Sequence, residues 1–139
     1  MSRSSYLAAV IACIAVSPAL AAEPTGVWVT PEAKSRVQIS KCGDALCGTI
    51  ISLNEPKGPD GKPKLDTKNQ NEAQRTRPLV GLPLLSGMKP SGDQWEGSIY
   101  NPEDGKTYKA KMALDGATLN VSGCVAAVFC KMQNWTRAK

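Results

Sequence analysis

The sequence predicts an all-β protein: a small closed or nearly closed antiparallel up-and-down barrel of about eight strands. Three observations predict it. Short runs alternate apolar and polar residues, the period of a half-buried strand. Twelve glycines and ten prolines among 139 residues punctuate those runs with turns, and no convincing long amphipathic helix interrupts them. The turns are mostly local, so consecutive strands lie side by side, and closure removes the reactive edges of the sheet.

The elements follow in chain order. Gly26 to Thr30 is a short β-type run ended by Pro31. Arg36 to Ser40 alternates polar and apolar residues. Cys42 to Cys47 holds Gly43 and Asp44 and reads as a hairpin tip, with Thr49 to Leu53 as the return strand. Residues 55–77 are then polar, carrying Pro56, Gly58, Pro59, Gly61 and Pro63. So long a connection in a compact domain is commonly a lid or binding loop; a short helical turn is expected around Asn71 to Thr76. Leu79 to Leu85 is apolar but broken by Gly81 and Pro83, and reads as a bent or edge element. Trp95 to Tyr100 alternates and meets the strong turn Asn101-Pro102-Glu103-Asp104-Gly105. In the next run, Thr107 to Leu114, Tyr108, Ala110, Met112 and Leu114 share one face and Lys109 and Lys111 the other. Asp115-Gly116 signals a tight hairpin, Thr118 to Cys124 pairs next, and Phe129 to Arg137 closes the chain. Without repeats or a linker, residues 22–139 read as one domain.

The first residues carry Arg3, then an uncharged run from Tyr6 to Val16, then Ala19-Leu20-Ala21. A cation, a short apolar stretch and an Ala-x-Ala site form a secretory signal peptide, residues 1–21, cleaved after Ala21. The run is too short for a transmembrane helix, and no membrane span is expected elsewhere. Val10-Ile11-Ala12-Cys13 offers a competing reading, a lipoprotein site at Cys13. Export to the periplasm or beyond fits the four remaining cysteines, an even number in a small chain. Their spacing favours two local disulfides, Cys42 with Cys47 and Cys124 with Cys130, among three connectivities.

Composition narrows the chemistry. The chain has no histidine, which removes His-based triads, His-ligated zinc and His proton shuttles. The formal charge of +5 comes with few aromatic residues, so nucleic acid is not an expected partner, whereas anionic envelope surfaces would attract the chain. The stretch Asp60 to Asn69 interleaves lysines with widely spaced acids, unlike a calcium loop. Nothing fixes a separation for Asp104 with Glu103 or Asp93 as a catalytic carboxylate pair. Ser86-x-x-Lys89 is too short a motif to define a nucleophile. No cofactor, metal or catalytic residue is expected.

Two groups remain as candidate ligand contacts. Arg75 and Arg77, spaced by one residue, would face the same way on a strand and clamp a carboxylate or phosphate; alternatively one pairs with Asp66 or Glu72 to fix the long loop. Tyr100, Asn101 and Tyr108 gather hydroxyls and an amide around one turn, where Asn101 and Asp104 also serve as turn-formers.

Several motifs stand out together: Cys42-Gly-Asp-Ala-Leu-Cys-Gly48, Asp66-x-x-Asn69, Arg75-Thr-Arg-Pro-Leu-Val-Gly81, Ile99-Tyr-Asn-Pro-x-Asp-Gly-Lys-Thr-Tyr108, Gly123-Cys124 and Trp135-Thr-Arg137. In this combination, from about Gly26 to Arg137, the chain resembles domain-of-unknown-function family 2147, small exported bacterial proteins. The resemblance implies an envelope protein without an assigned activity, and no catalytic residues. A looser likeness is architectural. Gly26-x-Trp28 and Arg137 look like the closing elements of calycin (lipocalin-type) barrels, which implies that Trp28 plugs one end beneath Arg137, with Trp135 on the same strand face as the arginine. The expectation is a non-catalytic, monomeric module that holds a small or amphipathic ligand at the barrel mouth beneath residues 55–77. The alternative is a structural module that docks an envelope protein through that loop.

Overall fold

The computed structural model describes residue 5 and residues 8–14, 22–126 and 129–139. Most of the expected signal segment lies outside the described residues; Cys13 is described, exposed and free. Eight strands form one closed antiparallel barrel in chain order: β1 (Gly26–Val29), β2 (Ser35–Cys42), β3 (Ala45–Leu53), β4 (Pro83–Ser91), β5 (Gln94–Asn101), β6 (Lys106–Asp115), β7 (Thr118–Val125) and β8 (Phe129–Arg137). Two 3₁₀ turns, Pro31–Ala33 and Glu72–Gln74, complete the elements. Among the described residues no helix is long and apolar enough to cross a membrane.

Closure is brief. β1 meets β8 only at Trp28 opposite Arg137 and Val29 opposite Thr136, because Pro31 ends the four-residue first strand. The β7–β8 hairpin is longer, pairing from Thr118 with Thr136 out to Val125 with Phe129. Its outer half therefore has no β1 partner.

Register fixes the faces. Ile99 lies opposite Tyr108, Gly97 opposite Ala110 and Trp95 opposite Met112; Ala110 and Met112 in turn oppose Gly123 and Val121. This face carries the core: Trp28, Val37, Ile39, Leu85, Met88, Met112, Leu119 and Trp135 are all buried. Much of the barrel interior is thus filled by side chains, as in small barrels generally.

One element departs from the sequence reading. The apolar stretch Leu79 to Leu85 is not an edge element: β4 runs to Ser91 and pairs on both sides, with β3 and β5. Its register shifts between Ser86 and Lys89, so Leu84, Leu85 and Met88 are the buried positions. A bulge of this kind breaks the period of two that a sequence scan relies on.

Candidate functional site

The 54–82 connection is a built structure. Antiparallel bridges join Lys57 with Pro63 and Leu65 with Pro78. The Asp66 amide donates to the Arg77 carbonyl at 2.9 Å, and the Leu79 amide to the Lys64 carbonyl at 3.0 Å. The expected helical turn is present as Glu72–Gln74, capped by the Asn71 side chain, which accepts from the Ala73 amide.

Its centre is Asp66, whose relative exposure is 0%. Oδ1 accepts the Tyr100 hydroxyl at 2.6 Å. Oδ2 accepts Asn69 Nδ2 at 2.8 Å and Arg77 Nε at 2.9 Å. Burial pushes the Asp66 carboxyl pKa up, but the three donors and the Arg77 charge outweigh it and hold it below the ordinary value. Burial and the Asp66 carboxylate both push the Tyr100 phenol up. Arg77 also lies over the Tyr100 ring, its guanidinium carbon 5.6 Å from the centroid. Since Ile99 faces the interior, Tyr100 faces outward, and the cluster ties the connection to the barrel's outer wall.

The β5–β6 turn is the second anchor. Asn101 Oδ1 accepts from the Glu103 amide and Asp104 Oδ1 from the Lys106 amide, the turn-forming role of both residues. The Tyr108 hydroxyl donates to the other Asp104 oxygen. That bond is the leading influence that lowers the Asp104 pKa, and it raises that of Tyr108. Gly105 has φ +71°, and a Cβ there would lie 1.8 Å from the Lys68 carbonyl oxygen. Only glycine lets the loop backbone rest on the turn this closely.

Between loop and wall runs an open groove of about 820 Å³. Asn69, Gln74 and Arg77 line it on the loop side. Thr107 and Lys109 line it on β6, with Cys124 and Val125 at its far end. Tyr100 and Tyr108 also touch it, as does Lys106, and no carboxylate does. Thr107 and Lys109 reach the groove from the outer-face register and Tyr108 and Val125 from the inner-face register, so it lies at the barrel end formed by the β5–β6 and β7–β8 turns, alongside the 54–82 connection. Arg75 and Asn101 are not in its lining. Nor do Arg75 and Arg77 sit on a strand: Arg75 donates to the Asn69 carbonyl and pairs with Glu72, while Arg77 pairs with Asp66. Sequence reasoning did not single out Asp66, Asn69, Gln74, Lys106 or Lys109 as site residues. Asp66-x-x-Asn69 was visible as a motif, but the surrounding lysines made it read as a solvated loop.

At the opposite end Trp28 is buried, its Nε1 donating to the Pro24 carbonyl at 2.9 Å. The Arg137 guanidinium covers it and donates to the Thr25 carbonyl. Trp135 is buried beside this closure. Disulfides join Cys42 with Cys47 and Cys124 with Cys130, the local pairing.

This architecture defines a lipocalin-like barrel. The chain is similar to a solved structure from Helicobacter pylori, protein HP1028, described as belonging to the lipocalin family: TM-score 0.73 at 25% sequence identity, covering 84% of each chain. The family model "Uncharacterized protein conserved in bacteria (DUF2147)" matches residues 26–137, and the chain belongs to that family. No curated protein matches it.

Proposed function

We propose that this chain is a non-catalytic binding module of the bacterial envelope, exported by the segment 1–21 and holding a small anionic or amphipathic ligand in this groove. The observation that carries this is the lining. Lys106, Lys109 and Arg77 meet side-chain amides and tyrosines with no carboxylate among them, and the apolar Val125 and Ala126 stand at one end. An anionic head would sit on the cations and amides, and an apolar part along the hairpin. Arg77 and Tyr100 are fixed by Asp66 before any ligand arrives, which lowers the ordering cost of binding. Two disulfides fit an oxidising compartment.

The non-catalytic reading rests on Asp66. It is the buried carboxylate of the site, but both oxygens are engaged and its low pKa makes it a poor general base. Arg75 and Asn101 then act by shaping the loop and the turn.

The test is titration of the full chain with anilinonaphthalene sulfonate, a fluorescent anionic amphipath. A saturable rise is expected in the parent, lost in Thr107→Trp, which fills the groove, and weakened in Lys109→Glu. Absence of saturable binding, or equal binding by Thr107→Trp, would overturn the reading. Docking of an envelope protein on the 55–77 loop is the second reading, favoured by the exposed Leu65 and Val80; unchanged partners in a pulldown with loop-deleted protein would count against it.

A further inference from the structure

The β7–β8 hairpin carries the most exposed large apolar side chains of the barrel. Val125 is 59% exposed, Phe129 76% and Met132 64%. Phe129 is the single phenylalanine of the chain, and residues 125–129 are apolar without exception. Burying such side chains is favourable, and large exposed apolar clusters mark contact sites.

The register places this surface. Val125 and Phe129 oppose each other and share the face that lower down carries Leu119, Val121 and Trp135. That face is interior within the closed part of the barrel. Here the hairpin has run past the end of β1, so the same face is open. Met132 has the opposite parity and stands on the outer face with Cys124 and Cys130. Apolar side chains therefore occupy both faces of one projecting hairpin. A protein partner covers one face; a bilayer surrounds an inserted tip on every side.

The charges agree with the second case. Lys131 lies two residues from Phe129 on its face, and Lys109 lies opposite Cys124 on the face of Met132. Lys106 starts the adjacent strand. These three lysines make no ion pair among the described residues. Of the acids at this end, Glu32 and Glu103 pair with Lys34, which leaves Asp104 against the three cations. An apolar tip ringed by lysines is the pattern of a segment seated at an anionic lipid surface. Pairing of Val125 with Phe129 and the Cys124–Cys130 bridge hold the two strands together up to those residues.

We propose that the β7–β8 hairpin docks the barrel onto an anionic phospholipid surface, with Val125 and Phe129 entering the interface and Lys106, Lys109 and Lys131 at headgroup level. This is a surface contact, not a span; it shares Lys106, Lys109 and Val125 with the groove, whereas Phe129, Lys131 and Met132 lie outside the groove's lining, so the reporter at Phe129 reads the tip separately from the groove.

The experiment places a reporter at the tip. The full chain with Phe129→Trp is mixed with phosphatidylglycerol vesicles, with phosphatidylcholine vesicles, and with phosphatidylglycerol vesicles containing brominated chains. The emission of the added tryptophan, taken as the difference from the parent, is expected to shift to the blue and to be quenched by bromine only on the anionic vesicles. Raising the salt concentration should reverse the shift. Lys109→Glu combined with Lys131→Glu should weaken vesicle partition by about tenfold or more, with circular dichroism unchanged. The local reporter separates the tip from any other anchor of the chain. A tryptophan that remains water-exposed while the protein is vesicle-bound would overturn the proposal. So would a blue shift that appears without lipid and follows protein concentration, which would assign the tip to self-association.

Discussion

The guanidinium carbon of Arg137 lies 4.3 Å from the centre of the Trp28 ring, across the strand pair that closes the barrel. Gly26 makes room for it: a Cβ there, at φ +121°, would lie 2.8 Å from Arg137 Nη1. The first and last strands are thus joined by a cation over an indole, and the glycine two residues before the indole clears the cation's path.

That geometry predicts a coupling. Arg137 is exposed, so Arg137→Ala should cost only about 1 kcal/mol, or a few degrees in Tm. Gly26→Ala should cost more, because it combines a left-handed φ with displacement of the guanidinium. With Arg137 already removed, the displacement disappears. The double variant should therefore be more stable than the sum of the two losses implies, by about 0.5 kcal/mol or more in a thermal or urea double-mutant cycle. Strict additivity would show that the two residues act separately.

The carboxylate of Asp66 predicts an acid limb. Its folded pKa lies below its unfolded one, so protons bind the unfolded chain more readily. The stabilisation is complete above the unfolded value, near about pH 4, and is lost as pH falls through the folded value. Asp104 shifts in the same direction and adds to the limb. Asp66→Asn would set an amide against the donors Arg77 and Asn69, and should cost about 2–4 kcal/mol at neutral pH. It should also flatten the decline of the urea midpoint below about pH 5. Equal declines in parent and variant would remove Asp66 from the account.

What the sequence revealed and what it hid follow from the range of each signal. β8 from Phe129 to Arg137 and the Lys109/Lys111 face of β6 were legible because alternation is local. So were the disulfides, since each closes one hairpin. β4 was hidden by a bulge. The groove was hidden because Asp66 and Tyr100 meet across 34 positions of chain, and no spacing rule spans that distance. Of the two readings of Arg75 and Arg77, the clamp rested on their spacing alone, and the pairing with Asp66 or Glu72 that fixes the long loop is the one that forms.

Gly105 gives a sharper test of the loop's seat. Alanine at φ +71° carries a conformational cost of about 1 kcal/mol, and its Cβ would also collide with the Lys68 carbonyl. Gly116 is the control: it has φ +59° with nothing within 4 Å of a built Cβ. Gly105→Ala should lift the loop and speed tryptic cleavage after Lys68 and Arg75 severalfold, while Gly116→Ala leaves those sites as they were. Equal cleavage of the two variants would mean that the turn does not hold the loop.

The two disulfides should separate stability from binding. Their sequence separations are 5 and 6, and loops this short give about 2 kcal/mol each by chain entropy. Each bridge closes a hairpin whose strands are already paired, β2 with β3 and β7 with β8. Replacing either pair by serines should therefore lower Tm by several degrees and leave a folded barrel by circular dichroism. Binding should divide them. Cys124 lines the groove, whereas neither Cys42 nor Cys47 does. Cys124→Ser with Cys130→Ser should weaken anilinonaphthalene sulfonate binding severalfold, and Cys42→Ser with Cys47→Ser should leave it unchanged below the melting range. If both double variants lose the probe equally, the ligand lies elsewhere on the barrel.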